Sequence, residues 1–151
     1  GIFSYMEFVN EFIKSNEYAY SIFGRKRNLP DVRSKDRSVV NRALRQGLNF
    51  TIQSTASDIL LCSLLGASRR FKEAGLKAKP VATVHDSIEI ICPKDEVKDT
   101  LTILYDERVN YPTIKETFNI HFDIPLAIDA EVGQSFGDGK LVEFIGGLPI
   151  V

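Results

Sequence analysis

The stretch from Val81 to Pro93, VATVHDSIEIICP, sets two apolar runs around one polar knot, His85-Asp86-Ser87. Alternation on either side reads as a tight hairpin with the knot at its tip. A carboxylate there is exposed and rigidly held. Asp86 is a hard oxygen ligand of the kind Mg²⁺ takes together with substrate phosphates, and His85 beside it could reach a phosphate or a sugar. The plainer account is a turn aspartate serving its own backbone. A phosphohydrolase built on a His-Asp pair would want further histidines, and only His121 remains. A second group lies upstream. Arg45, Asn49 and Gln53 recur every four residues, which on a helix drifts by only about 40° per step. All three donate hydrogen bonds. They form either the polar face of an amphipathic helix or a donor ladder facing a nucleic-acid minor groove, where every base pair offers an acceptor.

Charge adds a third signal. Between Arg25 and Arg45 stand eight basic residues (Arg25, Lys26, Arg27, Arg33, Lys35, Arg37, Arg42, Arg45) against Asp31 and Asp36, inside a chain of net charge -1. Such a block is either a solvated surface or a face for a polyanion. The two cysteines, Cys62 in an apolar helical run and Cys92 at a strand end, read as core thiols of a reducing compartment. No apolar run approaches the roughly 18 residues of a membrane span, and no signal peptide is visible.

These groups need elements to position them. Ser4 and Glu7 have the spacing of a capping box, followed by Phe8, Val9, Phe12 and Ile13 on one helical face. Tyr18 to Leu29 alternates around Gly24, which predicts a hairpin or two short strands. From about Asp36 to Ala74 the period is helical, with Val40, Leu44, Leu48, Ile52, Ala56, Leu60 and Leu64 as the expected inward stripe. Gly47 and Thr51 predict a kink or break near residues 47–53, and Gly75 ends the helix. After the Val81–Cys92 hairpin a helix is expected over 94–109, then a strand with one wet face over 126–131. Glycines open a loop at 133–139, and residues 140–151 read as a loosely held tail. The class is α+β, an antiparallel sheet whose β-hairpin packs against long helices.

Taken in order, GRKRNLPDV, NRALRQGLNFTIQSTASDILL and VHD resemble the C-terminal palm region of family A DNA polymerases, the DNA polymerase I type. Gly24, Arg25, Arg27, Pro30, Asp31, Arg45, Asn49, Gln53, Ala56, Asp58, Val84, His85 and Asp86 match its pattern. PLAIDAEVGQSFGD resembles the closing strand and its Val-Gly loop, with Phe136 in the aromatic place. The likeness covers residues 1–139, read as one palm portion. It departs at Ser87, where most members carry a second acid; Glu89 follows two places later, expected in the other strand register. Asn28 and Ser54 also stand where an aromatic and a glycine are frequent.

The resemblance implies attack of a primer 3′-hydroxyl on a nucleotide phosphate, with two Mg²⁺ ions in the complete enzyme. It implies Asp86 as a metal ligand and His85 at the primer terminus. Arg45, Asn49 and Gln53 would hold the newest base pairs, and Arg25, Lys26, Arg27, Lys35 and Arg37 would neutralise phosphates. Implied partners are primer-template DNA, a dNTP, and the rest of the polymerase: the strand with the other metal-binding aspartate, the fingers and the thumb. No membrane is implied, and the location is cytoplasmic, in the host cytoplasm if the divergent motifs mark a phage source. The chain reads as the last third of a polymerase domain, inactive alone. Ser87 keeps open a non-catalytic nucleic-acid-binding module on the same scaffold. A stand-alone metal nuclease would need a carboxylate cluster that the sequence lacks.

Overall fold

A computed structural model describes residues 1–151, which divide into two compact units, 1–58 and 59–151. In the first unit, helix α1 (Ile2–Asn16) is followed by the antiparallel strands β1 (Tyr18–Tyr20) and β2 (Lys26–Asn28). Helix α2 (Arg37–Glu73) then begins. α1 starts at Ile2 behind Gly1, with no side-chain cap. The expected capping box does not form, because Ser4 lies already inside the first turn. α2 does have its cap: Asp36 Oδ1 accepts from the Ser38 amide at 2.7 Å, which satisfies one orphan donor of the first turn. That bond is the main reason the Asp36 carboxyl sits below its ordinary pKa.

Two expectations about α2 fail for one reason. The helix is unbroken through 47–53, and within this unit its buried residues are small or polar: Ala43, Gly47, Ser54 and Asp58. A Cβ at Gly47 would run into the side chains of Ile13 and Leu29. The glycine therefore marks a close approach and not a hinge. Leu44 and Leu48 flank this seam against the core of Val9, Ile13, Ala19 and Leu29, while Ile52 of the expected stripe is 58% exposed. Part of α2 is apolar and long enough to cross a membrane by length and composition alone, where the sequence predicted no apolar run near that length. Two of its serines bond back to the helix itself: Ser54 Oγ donates to the Phe50 carbonyl at 2.6 Å and Ser63 Oγ to that of Ile59 at 2.8 Å.

In the second unit, α2 ends as predicted. Gly75 has φ +71°, the Leu76 amide donates to the Phe71 carbonyl at 2.8 Å, and the Gly75 amide donates to that of Lys72 at 3.1 Å. These are the two bonds of a Schellman motif. Strands β3 (Lys79–Val84) and β4 (Ser87–Ile91) pair antiparallel through a two-residue turn. Helix α3 (Val97–Tyr105) runs into a π-helical turn at Asp106–Asn110, so the predicted 94–109 helix changes its winding near the end. α4 (Pro112–Phe118) follows. Residues 126–132 show the predicted alternation of burial, but ladder pairing is confined to β5 (Glu131–Val132) against β6 (Lys140–Leu141).

The tail is not loose. β7 (Glu143–Ile145) and β8 (Leu148–Ile150) form a hairpin turned by Gly146 and Gly147. It packs on α3 through Phe144, whose ring lies 4.8 Å from that of Tyr105, and through buried Pro149. The class is α+β as predicted. Its strands, however, form four separate two-stranded antiparallel ladders and not one sheet. An isolated hairpin is marginal in water, and three of these ladders lean on helices. Tyr18 and Tyr20 meet Phe12 of α1 edge-on, Ile90 packs on Ala67 and Phe71 of α2, and β8 packs on α3.

Candidate nucleic-acid and metal site

The polar candidates of the first unit lie on α2 and around β1–β2. Arg45, Asn49 and Gln53 are all exposed, one helical stripe with every donor toward solvent. None forms an ion pair or side-chain hydrogen bond within the chain. Lys35 and Arg37 are also exposed and unpaired. The rest of the basic block is engaged. Arg25 is held by Asp58, its Nε 3.1 Å from Oδ1, and Ser21 Oγ donates to Asp58 Oδ2 at 3.2 Å. These contacts raise the Arg25 pKa, first through the hydrogen bond and then through the charge.

Lys26 sits 3.7 Å above the Tyr18 ring and Arg27 6.0 Å from that of Phe50. Arg33 Nε donates to Glu17 at 2.8 Å, and Arg42 stands 3.6 Å from Asp31. Five of the eight basic residues thus have local work, and charge counting could not separate them from the other three. Asp58 was legible only as part of the family pattern. Its role, a buried carboxylate clamping the β1–β2 loop to α2, came from the fold. The apolar hollow of this unit, lined by Tyr5, Phe8, Phe12, Tyr20 and Ile22, is aromatic and aliphatic, away from these donors in character.

The second unit carries the hairpin. Val84 pairs with Ser87, so His85 and Asp86 are the two turn residues. His85 has φ +54°, the left-handed value that two-residue hairpin turns require at the first central position. Both are exposed, and Asp86 accepts no hydrogen bond from the chain. Below the tip, Ile90 and Cys92 join the cluster of Ala67, Phe71, Ala78, Ile103 and Leu104, which anchors the strand bearing the turn. Ser87 Oγ lies 2.8 Å from Glu89 Oε1 and 3.0 Å from the Val84 carbonyl. Glu89 therefore shares the face of Ser87, against the expected register, since strand side chains repeat every two residues.

Sequence reasoning missed Arg108. Burial lowers its pKa, and the Asp86 carboxylate acts in the opposite sense. Arg108 comes from the π-helical turn, which Arg70 of α2 braces: its Nη1 reaches Asp106 at 2.6 Å and the fully buried Glu107 at 3.2 Å. Burial works to lower the Arg70 pKa, and those two acids raise it net. A hard cation suits the exposed, unengaged carboxylate of Asp86. No three His, Cys, Asp or Glu side chains of the chain come together, so these residues fit part of a divalent-ion site.

The sequence profile of DNA polymerase family A matches residues 1–138. A DNA polymerase of Bacillus phage SP01 is 36% identical over 83% of this chain and 14% of its own length. DNA polymerase I of Bacillus caldotenax is 28% identical over 93% of this chain and 15% of its own. Among solved structures, the POL domain of Pol1 from M. smegmatis, in complex with DNA primer-template and dNTP, superposes with a TM-score of 0.71 at 25% identity. It covers 82% of this chain and 20% of that one. The chain thus spans about a seventh of the length of these curated relatives.

Proposed function

This chain belongs to DNA polymerase family A, and from that premise we propose that it supplies the hairpin acid and the duplex contacts of a template-directed DNA polymerase. The observation that carries the reading is the hairpin tip: an exposed carboxylate without hydrogen-bond partners, on a strand anchored by buried apolar residues. Asp86 holds a divalent ion and His85 flanks the primer terminus. When bound, two Mg²⁺ ions would stabilise the attacking and leaving oxygens of nucleotidyl transfer. Arg45, Asn49 and Gln53 donate to minor-groove acceptors, which every base pair presents, so they test the shape of a pair and not its sequence. Lys35 and Arg37 neutralise phosphates. Arg25, Lys26 and Arg27 first hold the β1–β2 hairpin and meet phosphates only with what remains exposed. Primer-template DNA, a dNTP and the remaining polymerase polypeptide are the partners, in a cytoplasm, that of a host if the source is a phage.

A single hairpin carboxylate cannot hold two ions, so residues 1–151 alone give no primer extension. Adding the remaining polypeptide restores it, and Asp86→Ala then lowers extension by at least about a hundredfold, since loss of even an outer-shell partner of a metal ligand costs about 10–100-fold, while DNA binding stays. Robust extension by the isolated chain would refute this reading. Ser87 in place of the second acid favours one alternative, a non-catalytic nucleic-acid-binding module. That alternative is correct if Asp86→Ala changes nothing in the reassembled protein.

A further inference from the structure

We propose that the aromatic face of α1 is where the remaining polymerase polypeptide docks, an apolar side chain of that polypeptide filling the hollow beside it. The proposal rests on the reading of this chain as one part of a polymerase. α1 carries more apolar surface than its own unit covers. Val9 and Ile13 are buried in the core with Ala19 and Leu29. At 100° per residue, Phe8 stands about 100° round the helix from Val9, with Tyr5 and Phe12 between them. That flank meets Tyr20 and Ile22 across the hollow. Tyr5, Phe8, Tyr20 and Ile22 are 44% to 60% exposed. Single exposed apolar residues are ordinary, whereas a contiguous set marks a surface that another molecule covers. The walls are also fixed before anything binds. Tyr5 donates its hydroxyl proton to Thr51 Oγ1 at 2.9 Å, and the Phe12 ring meets those of Tyr18 and Tyr20 edge-on at 5.3 and 5.1 Å.

Size, charge and direction point to a protein as the occupant. The hollow holds about 210 Å³, below the roughly 300–1,000 Å³ of small-molecule sites, so it suits a side chain better than a free ligand. Its lining has no charged residue and offers a phosphate backbone nothing. Thr51 on its rim stands about 160° round α2 from Asn49 and from Gln53, so DNA held by the donor stripe lies on the other side of that helix. The relatives indicate which protein. This chain spans 14% and 15% of the length of the phage SP01 and Bacillus caldotenax polymerases. A polymerase of their size has most of its polypeptide outside residues 1–151, and an apolar face left open on this part is where that polypeptide gains by binding.

The test mixes residues 1–151 with the phage SP01 polymerase lacking the segment that matches this chain. Sedimentation velocity reads association, and primer extension reads activity. A one-to-one complex is expected. Phe8→Glu and Ile22→Glu, at exposed positions, should leave melting and DNA binding of residues 1–151 unchanged. Each should weaken association by about tenfold or more, the order for losing a buried apolar side chain. Leu65→Glu, also exposed but outside the hollow, should leave association unchanged. No association, or association that all three variants weaken alike or none weakens, overturns the proposal; primer extension by the mixture then leaves the polymerase reading standing. A dimer of residues 1–151 that Phe8→Glu abolishes, with no mixed complex, gives the face to a second copy and overturns the proposal too. A complex that needs Phe8 and Ile22 but extends no primer keeps the docking face and overturns the polymerase reading.

Discussion

At the scale of single residues, chemistry that looks alike in the sequence divides by burial of the partner. Arg25 and Arg45 are both exposed arginines, but Arg25 answers a buried carboxylate and Arg45 answers none. Removing Arg25 leaves Asp58, whose side chain is 8% exposed, with only Ser21 against its charge, and an uncompensated buried carboxylate is costly. Arg25→Gln is therefore expected to lower the melting temperature by a few degrees. Arg45→Gln should leave melting unchanged and weaken DNA binding instead. Thermal unfolding and a DNA-binding titration on the two variants separate the clamp from the contact.

At the scale of elements, the site depends on where α2 stops. The chain must reverse after Glu73 so that β3 can return the hairpin to the apolar face of Ala67 and Phe71. Gly75 makes the reversal with a left-handed backbone that an L side chain adopts only at a cost. Nothing crowds the position, so the cost is conformational alone. Gly75→Ala should destabilise the chain by about 1 kcal/mol, read by urea denaturation. The π-helical turn shows the same dependence of a site on its support. Arg70 fixes Asp106 and Glu107, and the residue that follows them is the partly buried Arg108.

At the scale of the whole molecule, the net charge of -1 gives no general attraction to DNA, so binding must come from local cations. Each phosphate neutralised adds about 0.9 to the slope of log affinity against log salt. If only the unpaired Lys35 and Arg37 neutralise phosphates, affinity should fall about 12-fold between 50 and 200 mM salt. If all eight residues of the basic block did, the fall would be about 20,000-fold. A salt titration of binding by residues 1–151 decides between them, and the smaller value is expected, since Arg45 meets the minor groove and the other five are spent inside the first unit.

The sequence by itself determined what is local. Turn chemistry placed His85 and Asp86 at the tip of a hairpin, the αL glycine ended α2 at the right residue, and helical spacing put Arg45, Asn49 and Gln53 on one stripe. The family was legible too, because its motifs are residue types at fixed separations. The tertiary structure decided what depends on neighbours distant in the chain. It buried the small-residue seam of α2 beside the leucines, because close packing on Ile13 and Leu29 needs space that large side chains would fill. It tied Arg25 to Asp58 across 33 positions, and it folded the tail onto Tyr105. Periodicity reports which residues share a face, and only the partner on that face fixes whether it is a core, a clamp or a surface left for DNA.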